Sequence, residues 1–244
     1  MNDLRSPVVE LRQYTLRPGG RDVLIELFDR EFVESQEEVG MTILGQFRDL
    51  DRPDRFVWLR GFEDMPGRAE ALAAFYGGPT WKEHGAAANA TMIDSDDVLL
   101  LRPVTAHSGF PVPAAGRPPL SQTTAPPSCV LATIYHRDHP FDARFAEFFE
   151  HEVHPELVRA GAELLGWFMT EHSENTFPAL PVRAGENVFV WFARFPSLEQ
   201  FGVYESRLER SVRWQDKVQP ALAELITGVP LQLRLAPTAR SLLR

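Results

Sequence analysis

The chain contains a single cysteine, Cys129, so no disulfide can form within it, and a reducing compartment, the cytoplasm, is the expected location. Within CVLATIYH that cysteine reads as a small buried residue at the start of a strand. No apolar run approaches the roughly 18 residues that a membrane-spanning helix needs, and the longest tight one is Val98-Leu99-Leu100-Leu101. The opening residues, MNDLRSPVVELRQY, hold no apolar segment followed by a cleavage site, which argues against a secretory signal. Basic residues are outnumbered, 25 Lys and Arg against 34 Asp and Glu for a net charge of −9, and they form no cluster. Nucleic acid and anionic membrane are therefore poor candidate partners. A Gly-rich phosphate loop, a nucleophile elbow and a CxxC pair are also missing.

The 244 residues include 44% hydrophobic and 24% charged side chains, a balance that suits a folded globular protein of one large domain or two of about 120 residues. The chain repeats itself. Tyr14, Gly40, Gly45 and Phe47 recur as Tyr135, Gly161, Gly166 and Phe168 at an offset of 121, whereas Phe56, Trp58, Phe62 and Trp81 recur as Phe189, Trp191, Phe195 and Trp214 at 133. The offset changes once, where the first copy has RDLDRPDR and the second a segment of about twenty residues running from Met169 to Val188. An insertion of that size is tolerated best in a surface hairpin. Between the copies, residues 103–127 contain seven prolines, which rules out helix and central strand.

Alternation in VVELRQYTL predicts a strand, and Val23, Leu24, Leu27, Phe28 and Phe32 fall at helical spacing. MTILGQF and FVWLRGF read as hairpin strands, MPGRAEALAAFYGG as a helix, TWKEHGAAANA as a second helical piece and DVLLLRP as a closing strand. The order is βαββαβ, and the second copy repeats it. The fold class is therefore α+β: two tandem ferredoxin-like repeats, residues 7–103 and 128–237, joined by a Pro-rich linker at 104–127. Their antiparallel sheets pack face to face as an α/β barrel.

Successive strand residues point to opposite faces. We assign the aliphatic set, Val9, Leu11, Val57 and Leu59, to the helices, which leaves Glu10, Arg12, Tyr14, Trp58 and Arg60 together on the other face. The second copy has Leu131, Thr133, Tyr135, Trp191 and Ala193 at those positions. Charges so placed must either pair with one another, fixing the register between the sheets, or face a ligand in an aromatic cavity. Residues 77–97 add Trp81, His84 and Asn89 among small residues. His84 could serve as a base or a haem ligand, or simply as a surface histidine, since its counterpart is Lys217. In HEVHPEL, His151 and His154 are three apart rather than the four of a zinc motif, and no third ligand is evident, so no metal is assigned. Phe177 and Leu180 give the longer hairpin an apolar tip, a candidate lid or docking contact.

ELRQYTLRPG, GQFRDLDRPDRFVWLRGFEDM, FYGGPTWKEH and ATMIDSDDVLLLRP together resemble the NIPSNAP family, within the dimeric α/β-barrel superfamily, closely over residues 8–103 and more loosely over 128–237. The resemblance implies the tandem barrel. It also implies relatives that include cofactor-free monooxygenases and haem-dependent enzymes, while supplying no agreed catalytic residues. The expected function is a small-molecule oxidoreductase of monooxygenase-like kind, using haem or no cofactor, acting on a hydrophobic or aromatic substrate. In it Tyr14, Arg60 and His84 are catalytic, and Glu10, Arg12, Trp58, Trp81 and Asn89 bind substrate. A homo-oligomer is the expected assembly. The rival expectation is a non-catalytic small-molecule-binding or protein-interaction scaffold with a filled barrel and mutually satisfied Glu10, Arg12 and Arg60.

Overall fold

In the computed structural model, which describes residues 6–111 and 116–244, the first half runs β1 Val8–Leu16, α1 Gly20–Leu27, α2 Val33–Glu37, β2 Thr42–Asp49, β3 Arg55–Phe62, α3 Met65–Gly77, α4 Pro79–Thr91 and β4 Met92–Pro103. The second runs β5 Cys129–Arg137, α5 Ala143–Phe148, α6 His154–Ala160, β6 Glu163–Thr170, β7 Asn187–Phe195, α7 Leu198–Glu209, α8 Gln219–Leu225 and β8 Leu231–Pro237. Equivalent helices start with equivalent chemistry. Asp64 accepts a hydrogen bond from the Gly67 N–H ahead of α3, and Ser197, 133 residues later, accepts one from the Gln200 N–H ahead of α7. One-turn π segments at Phe28–Phe32 and Phe149–Val153 also match.

All eight strands close into one antiparallel barrel in the order β1-β3-β2-β8-β5-β7-β6-β4. Each half contributes four consecutive staves in the same internal order, and the seams are β2–β8 and β4–β6. Closure is thus complete within one chain, which removes the exposed sheet edges that would otherwise need a partner. No helix among the described residues is long and apolar enough to cross a membrane.

The face assignment made from the sequence is reversed. Val9, Leu11, Val57 and Leu59 point into the barrel, where they pack with Leu99, Leu101, Val130, Ala132, Ile134, Val188, Val190, Leu233 and Leu235. Tyr14, Trp58, Phe56 and Phe62 lie on the outer face, under α1 to α4. The reason is geometric: an eight-stranded barrel is just wide enough for side chains to fill, so small branched residues suit the lumen. The wider space beneath the helices takes rings and long cationic chains. The lumen is a packed core.

Two short segments plug the barrel ends. Ser108 accepts the Trp167 N–H through its carbonyl at 2.8 Å, and Phe110 stacks on Phe168 and Phe192. At the other end the Leu243 N–H donates to the Leu44 carbonyl at 3.0 Å, and the Gln46 N–H donates to Ser241 Oγ at 3.2 Å. The segment expected to be an extended linker at 104–127 is therefore docked where it is described; its residues 112–115 lie outside the described residues. Cys129 opens β5, fully buried, and burial pushes its thiol up to about 11, so it is inert packing.

Candidate functional site

The alternation of β1 and β3 brings Glu10, Arg12, Tyr14, Trp58 and Arg60 to one patch, where Glu10 faces Arg60 and Arg12 faces Trp58 across the strand pair. Helix α3 adds Arg68. Glu10 Oε2 accepts from Arg12 Nη1 at 2.7 Å and Arg60 Nε at 2.8 Å, while Oε1 accepts from Arg68 Nε at 2.7 Å. All four charged side chains are sealed from solvent, with at most 1% exposure. Burial alone would raise the Glu10 carboxyl, but Arg60, Arg12 and Arg68 outweigh it and hold the group well below the usual carboxylate range.

Other donors of the cluster reach neutral acceptors. Arg12 Nε donates to the Tyr14 hydroxyl at 3.0 Å, Arg60 Nη1 to Gln36 Oε1 at 3.2 Å, and Arg68 Nη1 to Asn175 Oδ1 at 3.0 Å and Thr176 Oγ1 at 3.2 Å. Asn175 and Thr176 belong to the long β6–β7 connection of the second half, which also stacks Phe177 on Tyr76 with ring centroids 6.0 Å apart. The apolar tip identified in the sequence thus covers the charged patch of the other half. Guanidinium faces lie over rings, Arg60 over Trp58 at 5.1 Å and Arg68 over Phe62 at 5.9 Å.

Of the remaining sequence candidates, Trp81 packs on Phe32, Phe75 and Tyr76 and so borders the patch without touching its charges. His84 lies apart, its Nε2 3.5 Å from Glu31 Oε2 on a partly exposed surface, and Asn89 is exposed on α4. Neither joins the cluster. His84 thus sits beside a carboxylate at the surface, and no histidine lines the cavity described below. In HEVHPEL, His151 and Glu152 fall in the π turn, Glu152 pairs with Arg213 and Lys217, and His154 rests on Trp167. No group of three metal-ligating side chains occurs among the described residues. Arg68 stands outside the strand alternation that groups the other charged residues, on the face of a helix. The same offset of 133 sets it against Phe201, a charge-for-ring difference as informative as Arg60 against Ala193.

The second half has open space beneath its helices, beside the equivalent strand positions. A cavity of about 440 Å³ lies between its sheet and helices, walled by Tyr135, Trp191, Tyr204 and Trp214 and edged by Thr133 and Gln232. Tyr135, Trp191 and Trp214 are the counterparts of Tyr14, Trp58 and Trp81. The Tyr135 hydroxyl accepts from Trp191 Nε1 at 2.9 Å, which leaves its own proton free to donate, and Thr133 Oγ1 is buried without a partner. Burial pushes the hydroxyls of Tyr135 and Tyr204 well above the usual tyrosine range, so both stay protonated. The cavity contains no charged residue.

A closed antiparallel barrel flanked by helices is the fold of the dimeric α/β-barrel proteins. Residues 9–107 match the NIPSNAP family model. Among solved structures, the chain is similar to an "anthrone oxidase-like protein" (TM-score 0.57, 11% identity, 95% of this chain and 91% of that one). It is also similar to a "putative monooxygenase" from Fusobacterium nucleatum (0.55, 10%, 96% and 93%) and another from Lactobacillus acidophilus (0.52, 13%, 95% and 94%). At these identities the likeness is one of fold. No curated protein matches the sequence.

Proposed function

We propose that the protein is a small-molecule oxidoreductase of monooxygenase-like kind that takes a flat, uncharged, hydrophobic substrate into the second-half cavity. The tandem ferredoxin-like reading belongs to this proposal, since it makes the two interlayer spaces equivalent and their difference functional. One observation carries it. The 440 Å³ space walled by four aromatic side chains, with Thr133 Oγ1 and the Tyr135 hydroxyl unspent inside it, has the size and polarity of a ligand pocket. Rings would stack on Trp191 and Trp214, and the two hydroxyls would orient a carbonyl or phenol oxygen. The names of the structural neighbours suggest which reaction class to try.

The site residues expected in the first half are reassigned in role. Arg12, Tyr14 and Trp58 mark the position of the pocket by homology of position, while their counterparts Thr133, Tyr135 and Trp191 line it. A second reading, binding without catalysis, is favoured by one fact: no group in the cavity titrates near neutrality, so general-base catalysis by a lining residue is excluded. The homo-oligomer expected from the sequence stays a proposal, and with the barrel closed inside one chain it would have to rest on outer surfaces.

Anthrone is a suitable probe. Equilibrium dialysis should show one site per chain, lost in Ala223→Trp, which places a ring at the cavity mouth, and weakened about tenfold in Thr133→Val. Oxygen uptake dependent on anthrone and abolished by Ala223→Trp supports the enzyme, whereas binding without uptake supports the second reading. Equal binding by wild type and Ala223→Trp would dispose of both.

A further inference from the structure

The first-half cluster carries more positive charge than its protein partners neutralise. Three buried guanidiniums, of Arg12, Arg60 and Arg68, share the single carboxylate of Glu10. Two positive charges are left over among the described residues. The other acceptors they reach, namely the Tyr14 hydroxyl, the Ser95 carbonyl and the amide or hydroxyl oxygens of Gln36, Asn175 and Thr176, are neutral. Moreover, Arg60 Nη2, Arg68 Nη2 and Trp58 Nε1 are buried with no acceptor at all. Unpaired buried charge is costly enough that folded proteins rarely keep it without a counter-ion. Arg60 and Arg68 take opposite oxygens of Glu10 through Nε, and each keeps an unpartnered Nη2 in the same buried cluster.

We propose that these free donors bind the carboxylate of an organic anion with an aromatic or apolar body, admitted when the 171–186 connection lifts. The chemistry selects the ligand. Guanidinium edges match the plane of a carboxylate, whereas their faces are closed by Trp58 and Phe62. The surrounding walls, Phe28, Phe32, Phe75 and Tyr76, suit a ring. The connection is built to move as a unit. Its centre is tied to itself, with Asn175 Nδ2 donating to the Leu180 carbonyl at 2.9 Å and the Leu180 N–H to the Phe177 carbonyl at 3.0 Å. It meets Arg68 through Asn175 and Thr176 and the surrounding rings through Phe177 and Leu180, and Arg183 ties its far end to β4 through the Val98 carbonyl and Asp97. This site is separate from the second-half cavity and does not depend on it.

Sodium benzoate and neutral benzamide, titrated calorimetrically into the full chain at matched ionic strength, test the proposal. Benzoate should bind once per chain and raise the melting temperature, with benzamide at least tenfold weaker. Ala223→Trp should leave this binding intact, which separates it from the cavity. Arg68→Met should weaken benzoate more than tenfold yet melt no lower than wild type without ligand, because it removes surplus charge; a purely structural network predicts the opposite for the melt. Phe177→Ala, at a partly exposed position, keeps the test alive if Arg68→Met fails to fold: it should speed benzoate association several-fold in stopped-flow fluorescence. Failure of benzoate to bind wild type and Phe177→Ala, or equal stabilisation by phosphate or chloride, would overturn the assignment.

Discussion

The two halves share a strand order and a set of rings, and they differ in what lies beneath the helices. In the first, Glu10, Arg12, Arg60 and Arg68 fill the space and the 171–186 connection seals it. In the second, Leu131, Thr133, Ala193 and Phe201 stand at the same positions, all buried, and a cavity edged by Thr133 lies beside Tyr135 and Trp191. The hairpins explain the covering. The β6–β7 connection, residues 171–186, reaches across to Arg68 and Tyr76. The β2–β3 connection, residues 50–54, gets only as far as Arg234 of β8, where the Leu50 N–H donates to the backbone carbonyl at 2.8 Å. The two halves of one closed barrel thus differ beneath their helices, one charged and covered, the other holding a cavity.

The largest expected effect comes from breaking the charged half alone. Glu10→Gln leaves three buried guanidiniums without a carboxylate and should cost about 3–5 kcal/mol, read as a fall of about 10 °C in the melting temperature. Importing the second-half residues together, as Glu10→Leu, Arg12→Thr, Arg60→Ala and Arg68→Phe, should recover most of that loss, because apolar replacement of a buried ion cluster is often neutral or better. If the quadruple variant melts as low as Glu10→Gln, the cluster stabilises the fold and the equivalence of the two spaces is wrong.

An intermediate effect is pH-dependent. Gln46 Nε2 donates to Asp29 Oδ1 at 3.2 Å, and at the equivalent positions Trp167 Nε1 donates to Glu150 Oε1 at 3.3 Å. Burial pushes the Asp29 carboxyl up to about 6, against the pull of Arg240, Arg117 and Arg48. In the unfolded chain it titrates near 3.9. Between those values the folded form holds a proton that the unfolded form releases, so stability is greatest below about pH 4 and falls as pH rises through 6. The total is about 3 kcal/mol from this group. Urea midpoints of wild type and Asp29→Asn should therefore converge at pH 4 and separate by pH 7, with the variant more stable. Parallel curves would show that Asp29 does not titrate in this window.

Much of this was legible in the sequence because repeats expose what local patterns hide. The offsets of 121 and 133 located the elements, and Arg60 against Ala193 located the interlayer space. The face was misread because alternation gives two sets without saying which is inside. Both sets here are apolar enough to be buried, and only the width of the closed barrel decides between them. The second-half cavity escaped notice because, of the charged cluster's counterparts, Thr133 in place of Arg12 is the one that lines it, and an absence of bulk leaves no motif. His84 and Asn89 drew attention by chemical type, yet the α4 helix turns both away from the cluster.

The smallest effect concerns the barrel plugs, whose relation is also written in the sequence: Ala106, Ser108 and Phe110 recur as Ala239, Ser241 and Leu243 at the offset of 133. Their hydroxyls differ in use. Ser241 Oγ accepts from the buried Gln46 N–H at 3.2 Å and donates to the Leu243 carbonyl at 2.8 Å. Ser108 Oγ bonds only within its own turn, accepting from the Thr105 N–H at 3.0 Å and donating to the Thr105 carbonyl at 3.2 Å, while its backbone carbonyl holds Trp167. Ser241→Ala strands a buried backbone donor and should cost about 1–3 kcal/mol. Ser108→Ala loses a local bond beside solvent-accessible chain, for about 0.5–1.5 kcal/mol. Chemical denaturation of the two variants resolves the ordering, and a larger loss at Ser108 would mean that the linker, rather than the C-terminal segment, is the plug on which barrel closure depends.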